Sequence, residues 1–167
     1  IRGGDGDDFV DYWWSEDPVT VDLGSIDPQV SAGDASGDTF PELDIEGVRG
    51  SQGADTLTGN EDDNWFETGM GADTVDGGAG FDRAQYNWSE DPVTVNLETN
   101  VNTGGEAEGD TLTNIEMVMG SQGNDSLTGD AGDNVLFGSA GDDIINGGAG
   151  NDVLGGDAGT DIINGGL

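Results

Sequence analysis

The residues best placed to do chemistry are aspartates that return every nine residues among glycines. In the stretch GGAGNDVLGGDAGTDIINGG (147–166), Asp152 and Asp161 are nine residues apart, and each precedes two aliphatic residues. Carboxylate oxygens suit hard cations, and glycine lets a turn aim its backbone carbonyls at an ion. This spacing therefore offers cation binding by oxygen ligands.

The composition supports the same chemistry and excludes others. The 167 residues carry 36 acidic and 3 basic side chains, with a formal net charge of -33. Nucleic acid is excluded as a partner because phosphate contacts require lysine and arginine. The chain has no cysteine or histidine, so thiolate and imidazole metal sites are excluded. Composition alone would also fit an acidic disordered linker, and only a regular repeat argues against it.

The ends of the chain and its apolar runs indicate a segment of a larger protein. No apolar run approaches a membrane span, and the start IRGGDGDDFV lacks a signal-peptide pattern. The sequence stops at Gly165-Gly166-Leu167, where another repeat begins. We therefore expect a monomeric fragment of a longer chain, with no membrane span.

Ten nonapeptide windows define the repeat. They start at Gly3, Gly50, Gly59, Thr68, Gly77, Gly120, Gly129, Gly138, Gly147 and Gly156. The first and fourth positions are each glycine in nine windows. The sixth position is Asp8, Asp55, Asn64, Asp73, Asp82, Asp125, Asn134, Asp143, Asp152 and Asp161. The eighth is Val10, Leu57, Phe66, Val75, Ala84, Leu127, Leu136, Ile145, Leu154 and Ile163. Chance does not produce such regularity.

Windows such as GGAGNDVLG and GSAGDDIIN resemble the glycine-rich, hemolysin-type calcium-binding nonapeptides of RTX proteins, with the pattern G-G-x-G-x-D-x-U-x. The nonapeptides cover about half of the chain. The resemblance implies a parallel β-roll, calcium in the turns and export by a type I secretion route.

Physical reasoning leads to the same all-β fold, a parallel β-roll or right-handed β-solenoid. Six glycine-rich residues form a turn, the next three form a short strand, and two such units close an eighteen-residue coil. Stacked coils lie about 4.8 Å apart, so aspartates eighteen apart become neighbours. Asp125, Asp143 and Asp161 form one predicted row, and Asn134 and Asp152 form the opposite row. The first array repeats the arrangement with Asp55 and Asp73 in one row and Asn64 and Asp82 in the other.

Electrostatics then requires a divalent cation. Two carboxylates at this spacing repel by roughly 3 to 4 kcal/mol at an effective dielectric constant of 20. Ordering nine residues costs on the order of 10 kcal/mol, whereas one buried aliphatic side chain returns only about 2 kcal/mol. A cation between stacked aspartates reverses the sign of the electrostatic contribution. Ca²⁺ is expected rather than Mg²⁺ because it accepts six to eight oxygens in flexible geometry.

The expected ligands are the sixth-position side chains together with turn carbonyls, where positions one and three serve one ion and positions two and four the next. The residues predicted to bind calcium through their backbone carbonyl oxygens are Gly50, Gln52, Gly53, Gly69, Gly71, Gly78, Gly80, Gly120, Gln122, Gly123, Gly129, Ala131, Gly132, Gly138, Ala140, Gly141, Gly147, Gly148, Ala149, Gly150, Asp157 and Gly159. Asn64 and Asn134 lack the charge and should mark weaker sites. The alignment predicts roughly five to eight ions.

A longer repeat of about seventy residues overlies the nonapeptides. SEDPVTV occurs at 15–21 and 89–95, and GSQG occurs at 50–53 and 120–123. We expect one continuous roll over 1–167, with long units 3–76 and 77–128 and a C-terminal array 120–167. The spacers should supply strands, while 25–38 and 98–110 loop out. Asp38 and Asp110 are either additional ligands or ordinary loop aspartates.

The aromatic and threonine residues leave two further ligands to weigh. Trp13, Trp14, Trp65 and Trp88 suit either a structural cover over a thin core, which we favour, or a carbohydrate platform. Thr56, Thr58, Thr74 and Thr128 do not form an unbroken file along the nonapeptides, which argues against an ice-binding face. An EF-hand is excluded because Trp65 stands where that loop needs glycine.

The sequence predicts a calcium-binding module of a larger secreted bacterial protein. It should fold on extracellular calcium, assist secretion and act as a rigid spacer at or near the cell surface. The alternative is a calcium-dependent adhesion or glycan-binding module. An enzyme is not expected, because histidine is absent and the acids follow the repeat rather than a cleft.

Overall fold

A computed structural model describes residues 1–29 and 31–166 of the chain. Its regular secondary structure consists of fifteen three-residue strands and one short 3-10 helix, joined by turns and loops. Val30, in the first predicted loop, and Leu167 lie outside the described residues. The strands are β1 (Phe9–Asp11), β2 (Thr20–Asp22), β3 (Gly47–Arg49), β4 (Thr56–Thr58), β5 (Trp65–Glu67), β6 (Thr74–Asp76), β7 (Arg83–Gln85), β8 (Thr94–Asn96), β9 (Thr111–Thr113), β10 (Met117–Met119), β11 (Ser126–Thr128), β12 (Val135–Phe137), β13 (Ile144–Asn146), β14 (Val153–Gly155) and β15 (Ile162–Asn164). The helix spans Gly105–Ala107.

The strands stack into three parallel sheets on two sides of the molecule. The long sheet has the order β1-β3-β5-β7-β10-β12-β14. The opposite side carries a first short sheet, β2-β4-β6-β9, and a second short sheet, β8-β11-β13-β15. Thr56 pairs with Thr74 and Ile144 with Ile162, each eighteen residues apart. The predicted parallel β-roll, with two nonapeptides per coil, is confirmed.

The middle residues of the strands β1 to β13 face inward and form a central column of the core, and buried spacer residues such as Phe40 and Tyr86 pack against it. The eighth-position residues from Val10 to Ile145 are buried. Val21, Val48, Val95, Leu112 and Val118 fill the same column from the spacer strands. Leu154 is half-buried, and Ile163 in the last strand is 48% exposed. The core therefore thins towards β15 in this chain.

From the sequence we expected residues 98–110 of the second spacer to loop out, but part of this segment joins the roll. Residues 100–103 lie between β8 and β9 and close the gap between the two short sheets. Thr103 exchanges two backbone hydrogen bonds with Thr94. The Asn100 side chain accepts from the Leu112 N–H at 2.8 Å and donates to the Leu112 carbonyl at 2.9 Å. The loop therefore takes the place of a strand, because β8 and β9 have no other partner on that edge.

The first spacer uses the same device with a longer side chain. Gln29 accepts from the Asp22 N–H at 2.7 Å and donates to the Asp22 carbonyl at 3.1 Å. Gln29 is buried, although the sequence places it in a predicted excursion. An amide side chain thus satisfies the edge of β2 as a neighbouring strand would.

The expectation that threonines form no unbroken file is wrong for one side of the roll. Thr20, Thr56, Thr74 and Thr111 lie in register at the outer face of the first short sheet, and all four are exposed. The sequence comparison missed this file because Thr20 and Thr111 lie in spacers rather than in nonapeptides. The file ends there, since the matching residues of the second short sheet are Thr94, Ser126, Ile144 and Ile162.

Among residues 1–29 and 31–166, no helix is long and apolar enough to cross a membrane.

Candidate calcium sites

The sixth-position side chains form ladders along the roll, as the eighteen-residue coil requires. Where the preceding coil also has a sixth-position residue, the carboxylate accepts a hydrogen bond from the backbone N–H of that residue. Asp55 and Asp125 accept instead from the spacer residues Val19 and Val93. Asp73 accepts from Asp55 at 2.7 Å, and Asp143 accepts from Asp125 at 2.8 Å. On the opposite row, Asp82 accepts from Asn64 at 2.7 Å. These bonds use one side-chain oxygen and leave the second free for another partner.

The turns divide into two kinds according to what that second oxygen meets. In the first kind, the N–H of position two points inward and bonds the sixth-position side chain. Ser51 donates to Asp55 at 2.5 Å and Ser121 to Asp125 at 2.6 Å. Asn60 and Asp130 donate in the same way to Asn64 and Asn134. We call these four the closed turns, because their side-chain acceptors are satisfied within the protein.

In the second kind, positions two and four have positive φ, and the N–H of position two does not reach the carboxylate. Gly78 and Gly80, with φ of 97° and 126°, are one example. The Oδ2 atoms in five of these turns are buried and have no hydrogen-bond donor: Asp8, Asp73, Asp82, Asp143 and Asp152. We call these the open turns. A buried carboxylate oxygen without a donor is costly, so each of these oxygens is suited to a positively charged partner such as a cation.

Backbone carbonyls border the open turns closely. A Cβ added to Gly80 would lie 2.6 Å from the carbonyl oxygen of Asp62 in the previous coil. The same addition at Gly150 would lie 2.5 Å from the carbonyl oxygen of Gly132. Position four is glycine in all five open turns, whereas position two also accepts serine, at Ser139 with a φ of 77°. Backbone oxygens and an unsatisfied carboxylate oxygen therefore meet between successive turns.

The family comparison now decides what the turns are. A model of the RTX calcium-binding nonapeptide repeat matches four segments, residues 1–17, 49–84, 119–154 and 137–167, which together cover more than half of the chain. The chain belongs to the RTX calcium-binding repeat family. No curated relative matches it at a significant level. The RTX family is one of structural, calcium-binding repeats rather than of catalytic domains.

Side chains alone do not build the sites of this RTX chain. Over residues 1–29 and 31–166, no group of three or more acidic side chains converges in metal-binding geometry. A calcium ion takes six to eight oxygens, so backbone carbonyls have to supply most of them. The carbonyl-lined open turns fit that requirement. The assignment of individual carbonyls stays a prediction.

Burial raises the pKa of five carboxyls in these rows, those of Asp55, Asp73, Asp82, Asp125 and Asp143. It is the main cause that brings the pKa of Asp73 to about 9, and the charges of Asp110 and Asp55 act in the same direction. Burial likewise raises the pKa of Asp82 to about 6, with the charge of Glu116 adding to it. The pKa of Asp143 is raised, again mainly by burial. Without a cation, the roll therefore resists the ionised state of these carboxyls.

Three further acidic residues belong to the rows: Glu46 and Glu116, which the sequence analysis missed, and Asp110, which it left open as a ligand or a loop residue. Glu46 accepts from the Asp8 N–H and Glu116 from the Asp82 N–H, both at 2.8 Å. Asp110 accepts from the Asp73 N–H at 2.9 Å. All three residues come directly before a strand, as the sixth position of a nonapeptide does. Counting two residues back from Val48, Leu112 and Val118, as from the eighth to the sixth position of a nonapeptide, places all three in the rows.

Asp110 and Asp38 are neither free ligands nor ordinary loop residues. Both Asp110 oxygens are used, since Oδ2 also accepts from the Tyr86 hydroxyl at 2.9 Å and from Thr68 at 3.2 Å. Asp38 accepts from the Tyr12 hydroxyl at 2.8 Å. Burial and the charge of Asp110 raise the pKa of the Tyr86 hydroxyl, which therefore stays protonated as a donor. These pairs fasten each spacer to the roll.

The predicted weak sites have a visible cause at one position. The side-chain oxygen of Asn64 accepts from Asn60, and its buried Nδ2 has no acceptor. An amide N–H group facing the inter-turn space would repel a cation that a carboxylate would bind. The prediction that Asn64 and Asn134 weaken their sites is therefore kept as a proposal.

Proposed function

We propose that this RTX β-roll is a calcium-dependent folding module of a larger secreted bacterial protein. The observation that carries the proposal is the set of five buried Oδ2 atoms without a donor. In the turns of Asp73, Asp82, Asp143 and Asp152, backbone carbonyl oxygens of the previous coil also lie close to the position-four glycine. A divalent cation supplies the positive charge that these oxygens lack. The roll then becomes stable where calcium is abundant and unstable where it is scarce.

The residues that would hold the ions are the sixth-position side chains and the turn carbonyls of successive coils. When bound, calcium supplies charge neutralisation and an oxygen-only coordination shell. The chain supplies the spacing, because the ladder bonds fix each carboxylate relative to the next coil. Interior turns adjoin two neighbours, so binding at one site orders the next. We expect cooperative binding.

This dependence on calcium fits secretion by a type I route. The chain would stay unfolded in the low calcium of the cytosol, pass a narrow channel and fold outside the cell. Folding on arrival would oppose backsliding and produce a rigid spacer. The whole described roll would act as one module, with units 3–76 and 77–128 followed by the array 120–167.

A matched pair of variants tests the calcium assignment. Asp143→Asn removes an oxygen without a donor, whereas Asp142→Asn removes the same charge from an exposed neighbour. Both asparagines keep a side-chain oxygen that accepts a backbone N–H, from Asp125 at position 143 and from Thr160 at position 142. We expect Asp143→Asn to lower the Ca²⁺ affinity about tenfold or more and Asp142→Asn to change it little.

Calorimetry would measure the affinity, and circular dichroism would follow folding with Ca²⁺, Mg²⁺ or chelator. The proposal predicts a large Ca²⁺-induced change that Mg²⁺ does not reproduce. Identical spectra in chelator and in saturating Ca²⁺ would contradict it.

A second candidate function is calcium-dependent adhesion. Trp14 and Trp88 are 86% and 63% exposed, so they do not cover the core as we favoured from the sequence. Trp13 and Trp65 are half-buried. Of the two exposed indoles, Trp88 lines the larger cavity, together with polar side chains, so it is the one that favours a binding surface.

A further inference from the structure

A groove where the two long units meet is not explained by calcium binding. Its cavity of about 640 Å³ is lined by Trp13, Arg49, Gln52 and Met70 from the first unit and by Trp88 and Glu106 from the second. We call it the tryptophan groove. None of its six lining residues named here is a sixth-position ligand. The groove therefore needs an explanation of its own.

The part of the groove that the second unit contributes has a counterpart in the first unit. Trp-Ser-Glu-Asp occurs at 14–17 and 88–91. Ser15 and Ser89 are buried, and their hydroxyls donate to the carbonyls of Asp17 and Asp91 at 2.8 and 2.9 Å. The first copy lines a smaller cavity of about 390 Å³ with Trp14 and Asp34. It has no equivalent of the wall that the first unit gives to the second.

That wall is held in place before any ligand arrives. The Glu67 carboxylate accepts from the Trp88 indole N–H at 3.1 Å, and its other oxygen lies 3.1 Å from Nε of Arg49. The Arg49 guanidinium stacks 4.3 Å from the centre of the Trp13 ring. A single carboxylate thus fixes a cationic donor and an exposed indole relative to each other. A preorganised site loses less entropy on binding.

Both hydrogen-bond donors and hydrogen-bond acceptors surround the exposed indole of Trp88. Arg49 and Gln52 are donors on one wall, and Gln52 can also accept. On the rim, four carboxylates act as acceptors: Glu90, Asp91, Glu106 and Glu108. A ligand that stacks an apolar face on an indole and presents several hydroxyls uses all of these groups. A simple metal cation or ammonium ion would leave the donors unused.

We infer that the tryptophan groove binds a pyranose sugar, stacked on Trp88, with an amino sugar favoured and a carboxylated sugar rejected. The preference follows from charge, because the acidic rim and the net charge of -33 attract an ammonium group and repel a carboxylate. The inference rests on the proposed function for the calcium-loaded fold, and it gives the adhesion candidate a ligand class.

The test uses the calcium-loaded chain and three probes: glucosamine, methyl glucoside and glucuronate. Nuclear magnetic resonance of the indole N–H groups would report binding, and circular dichroism would report folding in each sample. We expect glucosamine to bind more tightly than methyl glucoside, and glucuronate not to bind. Trp88→Ala should weaken glucosamine binding about tenfold. The matched Trp14→Ala variant removes the equivalent residue of the incomplete cavity and should leave affinity unchanged.

A second variant isolates the charge preference. Glu106→Gln keeps a hydrogen-bond acceptor and removes one negative charge, so it should reduce the preference for glucosamine over methyl glucoside and leave methyl glucoside binding in place. Equal losses in Trp14→Ala and Trp88→Ala, or binding of glucuronate as tight as that of glucosamine, would overturn the inference. Full competition by tetramethylammonium would show a cation site instead. A chain that does not fold with calcium would refute the proposed function, whereas a folded chain that binds none of the sugars would refute only the groove.

Discussion

At the residue scale, the sixth-position carboxylate meets one of two environments, and we propose that they give calcium sites of different strength. In closed turns such as that of Asp55, the backbone N–H of position two donates to the second carboxylate oxygen. In open turns such as that of Asp82, the oxygen has no donor. Burial raises the pKa in both kinds of turn. The donor within the turn, rather than burial, distinguishes the two kinds.

Asn64→Asp should strengthen calcium binding at the predicted weak site. The change replaces a buried amide nitrogen that has no acceptor by a carboxylate oxygen. We expect about a tenfold gain in Ca²⁺ affinity at that site, measured by calorimetry. Asn151→Asp adds the same charge at an exposed fifth position and serves as the control. Equal effects of the two variants would show that net charge alone sets the affinity.

Acid should partly replace calcium in stabilising the roll. The folded-state pKa values of Asp82 and Asp73, about 6 and about 9, lie above that of an unfolded aspartate. The folded state therefore binds more protons, and its stability without metal rises as pH falls from about 9 towards about 4. Circular dichroism in chelator should show more folded protein at pH 5 than at pH 9. In calcium the trend reverses, because protons compete with the ion.

At the element scale, each three-residue strand depends on its turn, because a strand this short is unstable by itself. The turn holds the strand at the coil spacing, and the middle residue of the strand fills the core column. Spacers obey the same rule with different chemistry. Gln29 and Asn100 replace a neighbouring strand by side-chain amides. This substitution lets a loop of irregular sequence join two regular arrays.

Gly150→Ala should disrupt a turn without touching a ligand side chain. Gly150 has a φ of 117°, and an added Cβ would lie 2.5 Å from the Gly132 carbonyl oxygen. We expect a loss of about 2–4 kcal/mol in the free energy of unfolding of the calcium-loaded roll, measured by denaturant titration. Gly37→Ala isolates backbone strain, since Gly37 has a φ of 88° but open space around it. It should lose only about 1–2 kcal/mol.

At the scale of the whole molecule, the roll is a nearly one-dimensional assembly in which each coil contacts its neighbours. The long sheet runs without a break from β1 to β14, whereas the opposite side is divided where the second spacer inserts. The charge of -33 is spread along the stack. Stability therefore depends on nearest-neighbour contacts and on the ions between them.

Hydrogen exchange should reveal this one-dimensional character in the calcium-loaded chain. The strand β15 is exposed at all three residues, whereas the middle residues of β5, β6 and β7 are buried between neighbours on both sides. We expect amides of β15 to exchange at least about tenfold faster than those of β5 to β7. Uniform protection along the roll would indicate a single cooperative unit.

The sequence by itself determined the coil, the rows and the chemistry of the sites. A period of nine with glycine, aspartate and an aliphatic residue at fixed positions permits few other arrangements, because it fixes which side chains stack. Only the tertiary structure decided which carboxylates find a donor inside the protein. Asp55 and Asp143 occupy the same position of the repeat, yet one is satisfied by Ser51 and the other has an oxygen without a partner. Position two is serine in both turns, at Ser51 and Ser139, but only Ser139 has positive φ, at 77°. That backbone choice depends on the neighbouring coils. The tryptophan groove likewise depends on contacts between units distant in sequence, which no local pattern encodes.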